Sequence, residues 1–240
     1  MKTSTTYLLA ALLVLLASLT AYNMALRTEY RTGAYKDPLR NYETLDFKNF
    51  TEVDIPAASV LSVKLVAGPF GVRVNPVVAR FVRVSQQGGR LVIAAAFPDK
   101  PESLSWSETV VVSCPRLAGL RAGGTYELAG QPHRDKIPVS GRRVLVQGFA
   151  QDSLTLHADL AGHVELAGNH LGYLRARVGA TPGSYAGLQL NDDNHLAAAS
   201  LVIDHQSELT VANLLIPQVR YQLSDSARVT LTGRALRSVR

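Results

Sequence analysis

A short pattern that keeps returning at near-even intervals is the strongest constraint on what this 240-residue chain can fold into. Six segments end alike: TYELAG (125–130), RVLVQG (143–148), HVELAG (163–168), GSYAG (183–187), ELTVAN (208–213) and RVTLTG (228–233). Their closing residues are Gly130, Gly148, Gly168, Gly187, Asn213 and Gly233, and only the interval from Gly187 to Asn213 is clearly longer than the rest. Second alternating runs lie between them at Leu154-Thr155-Leu156, Leu174-Arg175-Ala176-Arg177, Leu201-Val202-Ile203 and Val219-Arg220-Tyr221-Gln222. A period of roughly 20 residues is too short for helix-pair repeats. It fits one coil of a parallel β-solenoid of two or three short strands, with coils stacked about 4.8 Å apart. Gly or Asn at each corner allows the positive φ that a sharp bend needs. Leu and Val at alternate positions then point inward, and Glu, Thr, Arg and Gln point outward. The long interval contains Asn191-Asp192-Asp193-Asn194, which reads as a loop protruding from one coil. The leucine-rich pattern L-x-x-L-x-L-x-x-N does not occur. An antiparallel sandwich is the alternative architecture.

The first half carries short strands of the same kind. Val60–Leu65, Val72–Val74, Phe81–Val84, Leu91–Ile93 and Thr109–Val112 are separated by Gly68-Pro69, Asn75-Pro76, Gly88-Gly89, Pro98 and Pro115. Ahead of them, Tyr7–Leu26 carries no charge and is long enough as a helix to cross a bilayer core of about 30 Å. Tyr7 and Tyr22 sit near its ends, where aromatic rings suit the interface. A cleaved signal peptide is the rival reading, but Leu19-Thr20-Ala21 is a poor small-residue cleavage site. The expected division is an anchor over 1–26, a stalk over 27–49, a β domain over 50–235 and a basic tail over 236–240.

Charge and composition narrow the function. Hydrophobic residues make up 47% and charged residues 18%, so the chain is neither disordered nor a multi-span membrane protein. The formal net charge is +6, yet the basic residues are scattered. The clusters Arg142-Arg143 and Arg234, Arg237, Arg240 have no interleaved aromatics, and no nucleic-acid partner is expected. Lys2 precedes the anchor while Arg27, Arg31, Lys36 and Arg40 follow it, which a literal positive-inside count would place in the cytoplasm. A long domain translocates despite such charges, so the expected place of the domain is outside the cytoplasm.

The strands and turns resemble the "putative auto-transporter adhesin head" family, or GIN domain, of bacterial envelope proteins. The resemblance rests on Phe50–Ile55, Val60–Gly68, Leu91–Ile93, Val111–Leu120, Asp159–Gly168 and Leu223–Gly233. It implies an all-β fold with a right-handed parallel β-helix, export to the cell envelope, and no catalytic residues. This chain departs from the family's Gly/Ser/Asn-rich coils in being richer in Ala, Leu and Arg.

Candidate chemistry is sparse. No G-x-S-x-G, P-loop or G-x-G-x-x-G motif occurs. His157, Asp159 and His163 are near in sequence, and His195 and His205 flank a segment near Asp192, Asp193 and Asp204. Neither group has metal-ligand spacing, so no metal and no cofactor are expected. Cys114 follows an apolar strand and reads as an inert buried thiol. Trp106 and the tyrosines at 126, 173, 185 and 221 have rings suited to sugar stacking, though packing is the plainer reading. The expected function is a non-enzymatic binding or adhesion head, or an envelope scaffold. It would be anchored in the inner membrane with its domain in the periplasm; exposure at the cell surface is the other arrangement. Polysaccharide or an envelope protein is the expected partner. Contact is assigned to Tyr173, Arg175, Arg177, Arg220 and Tyr221. The alternative is a carbohydrate-active β-helix enzyme, a lyase or hydrolase, whose carboxylates converge on one face.

Overall fold

A computed structural model describes residues 3–33, 36–99, 108–139 and 141–239; Trp106 lies outside them. The chain divides into two compact units, Met1–Tyr42 and Glu43–Arg240.

The first unit is built on helix α1, Thr3–Thr32. Its stretch Ser4–Arg31 has a mean hydropathy of 2.0 and is long and apolar enough to cross a membrane. Apolar side chains cover every face rather than one stripe, a pattern shared by membrane anchors and signal sequences. Thr20 and Thr28 turn their hydroxyls back onto the carbonyls of Leu16 and Met24, four residues earlier, so each hydroxyl has a partner within the helix. Gly33, at φ 69°, ends the helix in the left-handed conformation that a Cβ disfavours. The helix therefore runs on through Arg27–Thr32, into the segment expected to be stalk.

The second unit is almost all β. Its N-terminal strands are β1 (Glu43–Leu45), β2 (Glu52–Ile55), β3 (Val63–Ala67), β4 (Gly71–Val74), β5 (Val82–Gln87), β6 (Arg90–Phe97), β7 (Val110–Cys114), β8 (Gly119–Ala122), β9 (Thr125–Leu128) and β10 (Gln131–Arg134). The C-terminal strands are β11 (Val144–Gln147), β12 (Ala150–Ala158), β13 (His163–Ala167), β14 (His170–Val178), β15 (Gly187–Leu190), β16 (His195–Ile203), β17 (Glu208–Ala212), β18 (Gln218–Leu223) and β19 (Arg228–Thr232). They form two open mixed sheets. One has nine strands in the order β1-β4-β7-β3-β11-β13-β15-β17-β19; the other has ten, β10-β9-β6-β2-β8-β12-β14-β16-β18, with β5 added on β6. Neither closes into a barrel. β1 lies within the expected stalk and pairs antiparallel with β4.

From β11 onward, consecutive strands alternate between the sheets, and every pairing is parallel. Inward residues therefore stack like on like. Val144, Val164, Leu188, Leu209 and Val229 lie in register along one sheet. Leu156, Ala176, Leu201 and Tyr221 do so along the other. Side chains from both sheets share one core, and burying a Leu or Val there contributes about 1.5–3 kcal/mol. The N-terminal end of the stack is finished by antiparallel pairings, β1 on β4, β5 on β6 and β10 on β9. After β19 a short 3-10 helix, Gly233–Val239, buries Ala235 completely.

The corners follow backbone need. Gly130, Gly148, Gly168, Asn213 and Gly233 all have positive φ. Gly187 does not close a strand but opens β15, and its missing side chain makes room for His163, whose Nδ1 would collide with a Cβ there. The interval from Gly187 to Asn213 is long because Gly187 is not an equivalent corner: β15 meets β17 at nearly the ordinary offset, Gly187 opposite Glu208, and the added length of the chain lies one coil earlier. The pairing of β13 with β15, His163 opposite Gly187, already carries most of the added length, and β14 with β16, His170 opposite His195, carries barely more. Most of the insertion thus sits in the connection 179–186. The segment Asn191–Asn194 is a corner whose Asn194 is buried.

That corner carries a buried asparagine ladder. Phe149 N–H donates to Asn169 Oδ1 at 3.0 Å, and Asn169 N–H donates to Asn194 Oδ1 at 3.1 Å. Asn169 Nδ2 donates to the carbonyls of Val146 and Ala167 and to Asn194 Oδ1. Asn194 Nδ2 closes the set on Leu166 and Asn191 carbonyls. Asn169→Ala would strand several buried donors and acceptors, each costing about 1–3 kcal/mol. The expected result is a loss of about 3 kcal/mol in urea unfolding of the detergent-solubilised chain. A loss below about 1 kcal/mol would show that the ladder is not what holds the corner.

Candidate functional site

Outward residues of the ten-stranded sheet form rows that cross the strands, because parallel pairing puts equivalent positions side by side. One row runs Arg90, Glu52, Gly119, Thr155, Arg175, Ser200, Arg220 on β6, β2, β8, β12, β14, β16 and β18. The next runs Val92, Asp54, Arg121, His157, Arg177, Val202, Gln222 on the same strands. Tyr173 lies two residues before Arg175 on the same face, in register with Ser153, Ala198 and Gln218.

Charges on this face are partly neutralised. Arg90 donates through Nε and Nη2 to Glu52 Oε2, at 3.0 and 2.8 Å. Arg177 Nε meets Asp204 Oδ2 at 3.1 Å. Asp54 stands opposite Arg121. Burial pushes the Asp54 carboxyl above its usual range, with Glu52 adding to the rise, and Arg121 and Arg90 oppose it. Among the described residues Arg175 and Arg220 make no ion pair. A concavity of about 210 Å³ opens where Gly119 supplies no side chain, between Glu52, Arg90, Arg121, Thr155 and His157.

The sequence-assigned contact residues are thus divided. Tyr173, Arg175, Arg177 and Arg220 share the outer face. Tyr221 faces the other way: it pairs with buried Leu201 and packs against the core, because alternation gives neighbours on a strand opposite faces. Tyr126 is buried and packs edge-on against Phe97 at 5.7 Å. Burial, with Asp135 nearby, pushes its phenol up to about 12. Tyr185 is exposed on the connection between β14 and β15. Cys114 is fully buried, and burial pushes its thiol up to about 11, so it holds little thiolate at neutral pH.

The metal and acid–base groupings considered from sequence do not assemble. His157 is on the outer face of one sheet and His163 opens β13 of the other. Asp159 instead accepts from the Thr181 N–H and hydroxyl. Burial alone would raise Asp159, but the donors of Thr181, Leu160 and Ser184 outweigh it and hold the carboxyl below its ordinary value. Asp192 and Asp193 sit at one end of β16 and Asp204 at the other, with His195 and His205 divided in the same way. A nine-residue strand separates these ends by roughly 30 Å. No group of three metal-ligating side chains forms among the described residues.

One feature leaves no local mark in the sequence. His170 and His195 stack at 4.4 Å with ring planes 4° apart. They border a groove of about 550 Å³ with Leu214, Pro217 and Arg234. The lengthened offset that brings the two rings together is invisible without the pairing register.

No known family model matches the chain, and no curated protein matches it in sequence. Solved structures do. One, a "putative adhesin" from Parabacteroides distasonis, has a TM-score of 0.55 at 12% identity, covering 80% of this chain and 73% of its own. Another, a "putative adhesin" from Bacteroides fragilis, has a TM-score of 0.48 at 11% identity, covering 80% and 96%. The first of these shows a shared fold.

Two histidines give this unit a pH response. Burial, then Arg121 and Arg177, depress His157 below its ordinary 6.5. Burial chiefly depresses His163, with Arg143 adding and Glu165 and Glu208 opposing. A depressed histidine favours the neutral form in the native state, whereas the unfolded chain takes up the proton near 6.5. Their contribution is therefore intact above that pH and declines as pH falls through it toward the folded values. The urea midpoint should drop between pH 7.5 and 5.5, and His157→Gln/His163→Gln should drop less. An equal fall in both would contradict this assignment.

Proposed function

We propose that this chain is an envelope-anchored, non-enzymatic binding head, adhesive or scaffolding in role. α1 is its anchor in the inner membrane, and residues 50–235 form a right-handed parallel β-helix of the adhesin-head (GIN) kind in the periplasm. The observation that carries the reading is the outer face of the ten-stranded sheet, where outward side chains of parallel strands line up in register. Such a surface is flat, rigid and repetitive, which suits extended ligands better than small substrates. The fold shared with a bacterial "putative adhesin" supports it. The enzyme reading needs converging carboxylates, and Asp192 and Asp193 lie a strand length from Asp204.

Location is tested without any ligand. A C-terminally tagged protein is exposed to protease in intact cells, in cells with a permeabilised outer membrane, and in lysate. Digestion is expected once the outer membrane is opened; digestion in intact cells would move the domain to the surface. Digestion only on lysis would place it in the cytoplasm and overturn the reading.

A further inference from the structure

Along the outer face of the ten-stranded sheet, Thr155, Arg175, Ser200 and Arg220 lie in register on β12, β14, β16 and β18. Hydroxyl and guanidinium alternate, strand by strand. Adjacent strands are about 4.8 Å apart, so the two arginines recur roughly 10 Å apart. That is the length scale of a two-sugar repeat. Both arginines are exposed and make no ion pair among the described residues, unlike Arg90 and Arg177 on the same face. Tyr173 stands beside Arg175, exposed, with the smaller Ser153 and Ala198 as its in-register neighbours.

We propose that this row, with Tyr173 beside it, binds a linear carboxylate-bearing polysaccharide laid across the strands; this rests on the binding-head reading above. Each arginine presents a planar fork of donors that matches a carboxylate. The hydroxyls of Thr155 and Ser200 exchange hydrogen bonds with sugar hydroxyls between the two carboxylates that the arginines hold. The Tyr173 ring offers apolar area with a polar tip, as sugar faces require. A lipid surface fits less well. No large aliphatic side chain points outward in this row, whereas interfacial segments insert such residues.

The full chain in non-ionic detergent is titrated with polygalacturonate and with its fully methyl-esterified form, which removes the charge and keeps the backbone. Polygalacturonate should bind and weaken with salt, and the ester should bind at least tenfold more weakly. Arg175→Ala/Arg220→Ala should lose at least tenfold. Lys64→Ala/Arg228→Ala, the same charge change on the nine-stranded sheet, should stay within twofold. Equal binding of the two polymers, equal loss in the two variants, or no binding of polygalacturonate overturns the proposal. Any of these leaves the binding head standing, because protease accessibility tests location independently. Conversely, a cytoplasmic domain would sink that reading even with polymer binding intact.

Discussion

Parallel in-register pairing is the constraint on which the rest of this protein depends. Once Val144 pairs with Val164, and Val164 with Leu188, every residue of those strands has its place fixed. A shift by one residue would turn the whole inward set to water and the outward set into the core. The aliphatic stack penalises such a slip at every strand, so register is held over the length of the unit. The same rigidity orders the outer surface. Rows of outward side chains are a by-product of rows of inward ones.

Hydrogen bonds at the corners complete what the aliphatic stack begins. A strand can end in a polar corner only if the freed backbone groups find partners. Asn169 and Asn194 supply them from within, each bridging its own corner and the one before it. Where the ladder ends, the partners change: Asn213 Oδ1 accepts from the Arg234 N–H. At the N-terminal side, antiparallel strands cover the first parallel pairs. The N-terminal end is thereby kept from presenting a bare parallel edge, the feature that invites edge-to-edge association, whereas β18 and β19 each pair on one side only.

Much of this is legible in the sequence, for a physical reason. Period, inward alternation and glycine corners are local properties, and each leaves a mark on consecutive residues. The positive φ at Gly148, Gly168, Asn213 and Gly233 follows directly from that pattern. What escapes is set by pairing between distant residues. Asn191–Asn194 looks like a protruding loop because its residues are polar, yet Asn194 is polar in order to be buried. Gly187 looks like another corner, whereas its role is to admit the His163 ring. Tyr221 looks like a companion to Arg220, although strand alternation separates them. For the contact face, single residues are readable and their alignment is not, since rows across strands appear only once the offsets between paired strands are known.

The outer face also shows how such a surface balances stability against availability. Like charges directly opposite one another on paired strands are destabilising. The second row, with Arg121, His157 and Arg177 side by side, meets this cost in three ways. Asp54 stands opposite Arg121, Asp204 pairs with Arg177, and the proton on His157 between them is disfavoured by partial burial and by its two cationic neighbours. The first row follows another rule: Thr155 and Ser200 separate the cations, so Arg175 and Arg220 never stand on adjacent strands. Spacing by hydroxyls lowers the repulsion without consuming the charge. A guanidinium locked to a protein carboxylate must break that pair before meeting a ligand. One kept apart by neutral neighbours is free to meet it, and the alternation that makes the row tolerable to the fold is what keeps its charges open to solvent.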